Sequence, residues 1–182
     1  MFIRTERLFL RPAWEEDAPA LTGAIAHAPV AQRLARVPWP YEVQDAAAWI
    51  GAPRGALCPA LLVTLPGEQA RIIGGCGLHQ DAPGDPVEIG IWITPADQRQ
   101  GFGQEALAGL LQLARAAGHR HVTARHAADD AASAALIARA GFRPVSGPAA
   151  VGPTREVSHV LDLADDDSLV RDPYAAGINA AA

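Results

Sequence analysis

The hydrophobic positions change their spacing along the chain, and these changes mark the predicted elements. Residues 2–11 alternate apolar and polar side chains, a spacing that predicts a β-strand. Residues 15–27 repeat apolar side chains every three or four positions, and acidic residues lie in the first turn, so a helix is predicted there. Two shorter helices are predicted over residues 31–36 and 44–50.

Alternation returns in the middle of the chain and predicts a meander of three strands. These strands are separated by turn sequences rich in proline and glycine, and they cover residues 59–65, 71–79 and 87–94. Strict alternation along the second strand places Ile73, Gly75 and Gly77 on one face of the sheet.

Helical and strand spacings then alternate to the end of the pattern. Two helices and three strands are predicted, over residues 103–117, 121–125, 130–140, 142–145 and 156–163. The order of elements predicts an α+β or α/β fold, a mixed sheet with helices on its faces. We expect one domain over residues 1–163, followed by an acidic and then small-residue tail over 164–182 that is loosely ordered.

Composition excludes several function classes. The formal net charge is −5 and no dense basic run occurs, which argues against a nucleic-acid partner. There is no apolar run of membrane-spanning length and no signal-peptide pattern, so we expect a cytoplasmic protein with no membrane partner. All 15 basic residues are arginine, so no lysine can act as a catalytic amine.

The potential metal ligands do not form a recognisable pattern. Cys58 and Cys76 lack metal or redox spacing, and we expect two free thiols. His119 and His121 would share a strand face that His126 does not share, so convergence on a metal is poor. We therefore expect no metal site.

The stretch QRQGFGQEA, residues 98–106, fits two phosphate-binding patterns. Gly101 and Gly103 match a dinucleotide-binding turn, but that turn needs its first glycine directly after a strand. Here six residues separate Thr94 from Gly101. The second pattern is a longer loop whose glycines open a helix and whose backbone N–H groups converge on an anion.

This loop and three other stretches resemble the GNAT superfamily of acyl-CoA-dependent N-acyltransferases. The nearest likeness is to its Rim-type branch, which contains N-terminal acetyltransferases of ribosomal proteins. The four stretches are TERLFLRPAWEEDAPAL (5–21), IIGGCGLH (72–79), VEIGIWITPADQRQGFGQEAL (87–107) and DAASAALIARAGF (130–142). The resemblance implies a mixed, mostly antiparallel sheet of about seven strands with helices on both faces.

The resemblance also implies a site for acetyl-CoA (coenzyme A) as co-substrate. The backbone of Trp92, Ile93 and Thr94 would pair with the pantetheine arm, where strands 87–94 and 121–126 splay apart. The pyrophosphate would be wrapped by Arg99, Gln100, Gly101, Phe102, Gly103 and Gln104.

Three positions depart from the family pattern. Arg99 stands where the family usually has glycine, and it could contact phosphate or lie in solvent. Asp130 replaces an asparagine whose amide contacts the cofactor arm, and an ionised carboxylate cannot donate a hydrogen bond. Ile137 stands where some relatives carry a tyrosine that serves as general acid.

The candidate catalytic and acceptor-binding residues each have a structural alternative. Glu88 could accept the amine proton, directly or through water, or could be a solvent-facing strand residue. Ser133 could protonate the leaving thiolate or be a small residue at a packing point. Trp39 and Tyr41 belong to a segment that overlies the cleft in relatives, so they could line the acceptor site.

We therefore expect an acetyl-CoA-dependent N-acetyltransferase acting on a primary amine. The acceptor could be a protein N-terminus or a small molecule such as an amino sugar, a polyamine or an amino acid. A non-catalytic acyl-CoA sensor is the alternative from another class, and a nucleotide-dependent oxidoreductase is the third. A homodimer is left open.

Overall fold

The computed structural model describes residues 1–31, 34, 37–67, 70–145 and 156–163. Its strands are β1 (Ile3–Arg4), β2 (Phe9–Arg11), β3 (Ala60–Leu65), β4 (Arg71–His79), β5 (Glu88–Ile93), β6 (His121–Ala127), β7 (Arg143–Pro144) and β8 (Glu156–Asp162). Its helices are α1 (Ala18–Ile25), α2 (Ala28–Ala31), α3 (Val43–Gly51), α4 (Phe102–Ala116) and α5 (Ala131–Arg139). The expected tail over 164–182 lies outside the described residues.

The described strands form one sheet in the order β1-β2-β3-β4-β5-β6-β8-β7. All neighbours are antiparallel except β5 and β6, which are parallel. Helices α1 and α3 pack on one face, while α4 packs against β4 and β5 and α5 against β6 on the other. The predicted fold class, a mixed and mostly antiparallel sheet covered on both faces, is confirmed.

A turn explains why the sheet has eight strands where about seven were expected. Residues 2–11 were predicted as one strand, but the chain reverses between β1 and β2. The Thr5 N–H donates to the Leu8 carbonyl oxygen at 3.0 Å, and the Leu8 N–H donates to Thr5 Oγ1 at 3.1 Å. The alternating pattern of apolar residues continues through this turn, so the pattern alone predicted one strand and not two.

Two cores lie on opposite faces of the sheet, as side-chain alternation requires. On β3, Leu61 and Val63 belong to the core beneath α4 and α5, whereas Leu62 belongs to the core beneath α1 and α3. All three are almost fully buried. Among the described residues, no helix is long and apolar enough to cross a membrane.

A β-bulge changes which residues of β4 share a face of the sheet, so the expected grouping of Ile73 with Gly75 and Gly77 is wrong. The register with β3 shifts between Val63 and Thr64, so Ile73 has no directly opposite partner on β3. Ile73 lies in the α4-side core, but a Cβ built on Gly75 would lie 2.7 Å from Trp92 Nε1 on the other face. Ile73 and Gly75 therefore do not share a face, and Gly75 leaves the room that the Trp92 ring occupies.

Candidate functional site

The sheet opens between its two central strands. Within the described residues, β5 pairs with β6 at two positions only, Glu88 with Thr123 and Ile89 with Ala124. Beyond them β5 continues against β4, while β6 continues against β8 as far as Ala127. The carboxyl ends of β5 and β6 therefore diverge and leave a cleft, as the resemblance implied.

Hydrogen-bond alternation decides which β5 groups face this cleft. The Val87 carbonyl oxygen accepts from Thr123 N–H at 2.8 Å, and Thr94 N–H donates to the Ile73 carbonyl oxygen at 2.8 Å. Because successive backbone groups point to opposite edges of a strand, the amides of Ile91 and Ile93 point toward the cleft.

This geometry refines the three residues expected to pair with a cofactor arm. Ile93 faces the cleft, although its carbonyl oxygen already accepts from Gln98 Nε2 at 2.9 Å. The backbone N–H of Thr94 is used by β4, and Trp92 shares its orientation. Ile91 was not among the expected residues, although alternation along residues 87–94 places it on the same edge as Ile93.

The loop after β5 ends at a helix with free first-turn donors. Gly101 precedes α4 with φ of +84°, a conformation that favours glycine. Its carbonyl oxygen accepts from Glu105 N–H, which closes the first turn. The N–H groups of Phe102, Gly103 and Gln104 have no carbonyl partner within the helix, so this end carries partial positive charge and suits an anion.

Arg99 has a backbone conformation that is unusual for a residue other than glycine. It has φ of +61°, a left-handed conformation for a residue with a side chain, and it is exposed. Such a conformation costs about 1 kcal/mol or more relative to an unstrained one. Glycine adopts it freely, which gives a physical reason for glycine in similar sequences.

A buried carboxylate anchors the start of the loop. Asp97 accepts from both terminal nitrogens of Arg71 at 2.7 Å and from Thr94 Oγ1 at 2.5 Å. The Arg71 hydrogen bonds lower the pKa of Asp97 against the opposing effect of burial. The side chain and amide of Thr94 therefore both hold the loop in place. No sequence pattern had indicated a role for Arg71 or Asp97.

Glu88 lies where the cleft begins, and it is not a lone solvent-facing carboxylate. Its Oε2 accepts from Arg125 Nη2 at 2.6 Å and from Arg125 Nε at 2.9 Å. Arg125 Nη1 is also 3.6 Å from Glu156 Oε2. The hydrogen bond to Glu88 is the main cause that raises the pKa of Arg125. The ion pair therefore lies at the fork of the sheet, where β5 and β6 separate.

Asp130 and Ser133 are brought together at the start of α5. Asp130 is the N-cap, and its Oδ1 accepts from Ser133 N–H at 3.0 Å. Its Oδ2 accepts from the Ser133 hydroxyl at 2.9 Å. The carboxylate thus performs a capping role open to asparagine as well, and the Ser133 proton is directed at Asp130.

The two aromatic candidates for the acceptor site have different surroundings. Tyr41 is buried in the core beneath α1 and α3, and burial raises its pKa to about 12. Trp39 is 49% exposed. Of the pair, Trp39 has the side chain free to meet a second molecule.

The histidines of the candidate metal cluster are dispersed. His119 Nε2 lies 2.8 Å from the Leu57 carbonyl oxygen, and His121 Nδ1 lies 3.5 Å from Asp162. His126 stacks on His159 with ring centroids 5.1 Å apart, and burial is the main cause that lowers the pKa of His159. Among the described residues, no three potential ligands form a metal-binding group.

Comparison with known proteins identifies the family of this fold and cleft. A family model described as the acetyltransferase (GNAT) domain matches residues 7–143, most of the chain. The chain therefore belongs to the GNAT acetyltransferase family. Comparison with curated proteins gave no match.

Solved structures share the fold at low sequence identity. A GNAT-family acetyltransferase from Bacillus anthracis is 20% identical with a TM-score of 0.76, covering 91% of this chain and 100% of its own. YncA from Salmonella typhimurium, solved with its cofactor acetyl-CoA, is 24% identical with a TM-score of 0.70, covering 92% and 99%. RimL, a ribosomal L7/L12 alpha-N-protein acetyltransferase in complex with coenzyme A, is 19% identical with a TM-score of 0.75, covering 89% and 98%. The Rim-type branch itself stays a prediction.

Proposed function

We propose that this protein transfers an acetyl group from acetyl-CoA to a primary amine. The observation that carries the proposal is the cleft between β5 and β6, in a chain of the GNAT family. One wall of the cleft is a strand edge, and the loop beyond it opens a helix with free N–H donors. A strand edge can pair with the amide-bearing pantetheine arm, and a helix N-terminus can hold its pyrophosphate.

The cofactor-binding residues follow from this placement. Ile91 and Ile93 would pair with the pantetheine arm, while Trp92 and Thr94 would support that edge through β4 and the loop. Arg99, Gln100, Gly101, Phe102, Gly103 and Gln104 would surround the pyrophosphate. Asp130 would limit the cleft at the start of α5, where its carboxylate holds Ser133.

The reaction would proceed by direct attack of the amine on the thioester. A C–N bond forms and the C–S bond breaks, so the nitrogen loses a proton and the sulfur gains one. N–H groups at the β5 edge would stabilise the charge that develops on the carbonyl oxygen. Glu88 would accept the amine proton, directly or through water, and Ser133 would serve as the proton donor to the thiolate.

The acceptor is a primary amine, either a protein N-terminus or a small molecule. RimL, whose fold is similar, is a ribosomal L7/L12 alpha-N-protein acetyltransferase. We infer the same chemical class here, with the exposed Trp39 as the side chain that would contact the acceptor. We place the reaction in the cytoplasm, where acetyl-CoA is available.

Thermal unfolding with acetyl-CoA, coenzyme A and NAD tests the cofactor. A ligand at 100 times its Kd stabilises by about 2.7 kcal/mol, which raises Tm by about 5–10 °C for a chain of this size. We expect this response with acetyl-CoA and coenzyme A. A response to NAD alone would instead support the dinucleotide interpretation and overturn the proposal.

A matched pair of glycine variants tests the loop. Gly101 and Gly118 both have φ of +84°, at opposite ends of α4. Alanine at either position should lower the free energy of unfolding by about 1 kcal/mol. Only Gly101→Ala should also weaken coenzyme A binding, because it alone alters the loop. Equal affinities for the two variants would remove this loop from the pyrophosphate site.

A non-catalytic acyl-CoA sensor is the second candidate, and the contacts of two candidate catalytic groups favour it. Glu88 is held by Arg125, and the Ser133 hydroxyl donates to Asp130. Acetyl-CoA binding without acetylation of any member of an amine panel would support the sensor.

Glu88→Gln tests the base role. We expect turnover to fall about 100- to 10,000-fold, with acetyl-CoA affinity nearly unchanged. Glu156→Gln is the control, because Glu156 is the other carboxylate near Arg125. Equal rates for the two variants and the unaltered protein would remove Glu88 from catalysis.

A further inference from the structure

Arg7, in the turn between β1 and β2, reaches the loop that opens α4. Its Nη1 donates to the Gln100 carbonyl oxygen at 3.0 Å, and its guanidinium lies 4.6 Å above the Phe102 ring. A Cβ built on Gly101 would lie 3.2 Å from Arg7 Nη2. The Arg7 side chain therefore contacts Gln100 and Phe102 and lies beside Gly101, which stands between them.

The same arginine pairs with a carboxylate in the first turn of α4. Glu105 Oε2 accepts from Arg7 Nε at 2.7 Å, while Oε1 accepts from the Arg7 N–H at 2.7 Å and from Thr5 Oγ1 at 2.5 Å. Burial opposes ionisation, but the hydrogen bonds from Thr5 and Arg7 lower the pKa of Glu105. A charged carboxylate thus lies one turn from the loop.

That carboxylate is a problem for an anion-binding loop unless it is neutralised. A negative charge near a helix N-terminus is stabilised by the helix dipole, but it repels a second anion that binds there. The Gln100 carbonyl oxygen carries a partial negative charge within the same loop. Arg7 contacts both of these groups, so it offsets the charge of one and fixes the direction of the other.

We propose that Arg7 is a positioning residue for the diphosphate of the co-substrate, acting through Glu105 and the Gln100 carbonyl group. The inference rests on the proposed function and deepens it. The positive charge of Arg7 compensates the negative charge of Glu105. Its hydrogen bond also keeps the Gln100 carbonyl oxygen pointing toward Arg7. The first-turn N–H groups can then bind the diphosphate without a competing anion. It makes the β1–β2 turn part of the cofactor site.

The test compares ligands with and without a diphosphate. Calorimetry would measure the Kd of acetyl-CoA and of acetyl-pantetheine for the unaltered protein and for Arg7→Ala. We expect Arg7→Ala to weaken acetyl-CoA at least tenfold and acetyl-pantetheine less than twofold. Arg4→Ala is the control, because Arg4 is an exposed arginine on β1 of the same hairpin. It should change neither constant.

A second substitution separates charge compensation from a structural role. In the Arg7→Ala background, Glu105→Gln removes the uncompensated charge and should restore most of the acetyl-CoA affinity. If Arg7→Ala fails to fold, Glu105→Gln alone should strengthen acetyl-CoA binding a few-fold and leave acetyl-pantetheine unchanged.

Three outcomes would overturn the inference. Equal losses for both ligands in Arg7→Ala would assign Arg7 to folding alone. Lack of recovery in the double variant, or weaker acetyl-CoA binding by Glu105→Gln alone, would show that charge compensation is not its role. If the unaltered protein binds neither ligand, the proposed function fails first, and the inference fails with it.

Discussion

The two halves of the sheet differ in burial and in what they carry. The first half, β1 to β5, is antiparallel throughout, and its central strands β3 and β4 are mostly buried. In the second half, β6 to β8, every residue of β8 is only half-buried. The first half carries the cleft edge of β5 and the loop before α4. The groups proposed to bind the cofactor therefore lie on the better packed half.

Along the sheet, the described part of the chain joins the two halves through a short junction between β5 and β6. Two register pairs connect β5 to β6, and the ion pair between Glu88 and Arg125 spans the same point. A wide junction would close the cleft, because continued pairing would use the N–H groups of Ile91 and Ile93. The short pairing of β5 with β6 therefore leaves these N–H groups available for the proposed cofactor arm.

The largest expected effect tests the difference in packing. Leu61→Ala on β3 should lower the free energy of unfolding by about 2–5 kcal/mol, because Leu61 is 1% exposed in the core beneath α4. Leu161→Ala on β8 should lower it less, because Leu161 is only partly buried. Urea unfolding measures both. Equal losses would show that the two halves are equally well packed.

A smaller effect concerns acid stability on the first half. The folded pKa of Asp97 lies below its unfolded value, so its stabilising contribution is present above about pH 4 and is lost as the pH falls further. Asp97→Asn should lower the free energy of unfolding by about 1.5–3 kcal/mol at neutral pH. It should also weaken the decrease of this free energy as the pH falls below about 4.

The control for Asp97 lies on the second half. Asp162→Asn on β8 removes a carboxylate that is 3.5 Å from His121. Chemical unfolding from pH 2 to 7 should show a much smaller change for this variant. If the stability of Asp97→Asn still falls as steeply at acid pH as that of the unaltered protein, Asp97 is not the cause of the acid dependence.

Arg99→Gly should produce a gain in stability and a loss in binding. Relief of the left-handed backbone should raise the free energy of unfolding by about 1 kcal/mol. If Arg99 also contacts phosphate, acetyl-CoA affinity should fall and depend less on salt. Thermal unfolding and calorimetry at two salt concentrations measure the two effects. Unchanged affinity at both concentrations would leave Arg99 in solvent.

The smallest expected effect concerns the junction. Arg125→Gln should lower the free energy of unfolding by about 0.2–1 kcal/mol, because this ion pair is partly exposed. Its effect on acetyl transfer should be larger than its effect on stability, because Glu88 loses its partner. A loss as large as that of Leu61→Ala would mean that the ion pair contributes as much to stability as a fully buried leucine side chain.

Local patterns predicted most of the fold. The helix α4, the meander of β3 to β5 and the helix α5 all follow from spacing over a few residues, and the observed elements match them closely. The turn at Thr5 and the bulge at Ile73 were missed, because an alternating pattern of apolar residues does not mark a chain reversal or a shift of strand register. The contact of Thr5 with Glu105, which lies 100 residues away, has no local pattern either.

The candidate site also combines features that local sequence patterns predict with features that they do not. The glycine spacing at Gly101 predicted a helix-opening loop, and the observed φ angle explains why. The pairing of Glu88 with Arg125 joins residues 37 positions apart, and that of Arg7 with Glu105 joins residues 98 positions apart. No local pattern marks such pairs, because the sheet order and the position of α4 create them.

The open edge of β5 makes the proposed co-substrate a protective agent as well as a reactant. A strand edge with exposed amides exchanges hydrogen with solvent and is a template for intermolecular pairing. An arm lying along β5 would shield the Ile91 and Ile93 amides from both. Bound co-substrate would then slow hydrogen exchange at these two amides and oppose pairing of β5 with a second chain.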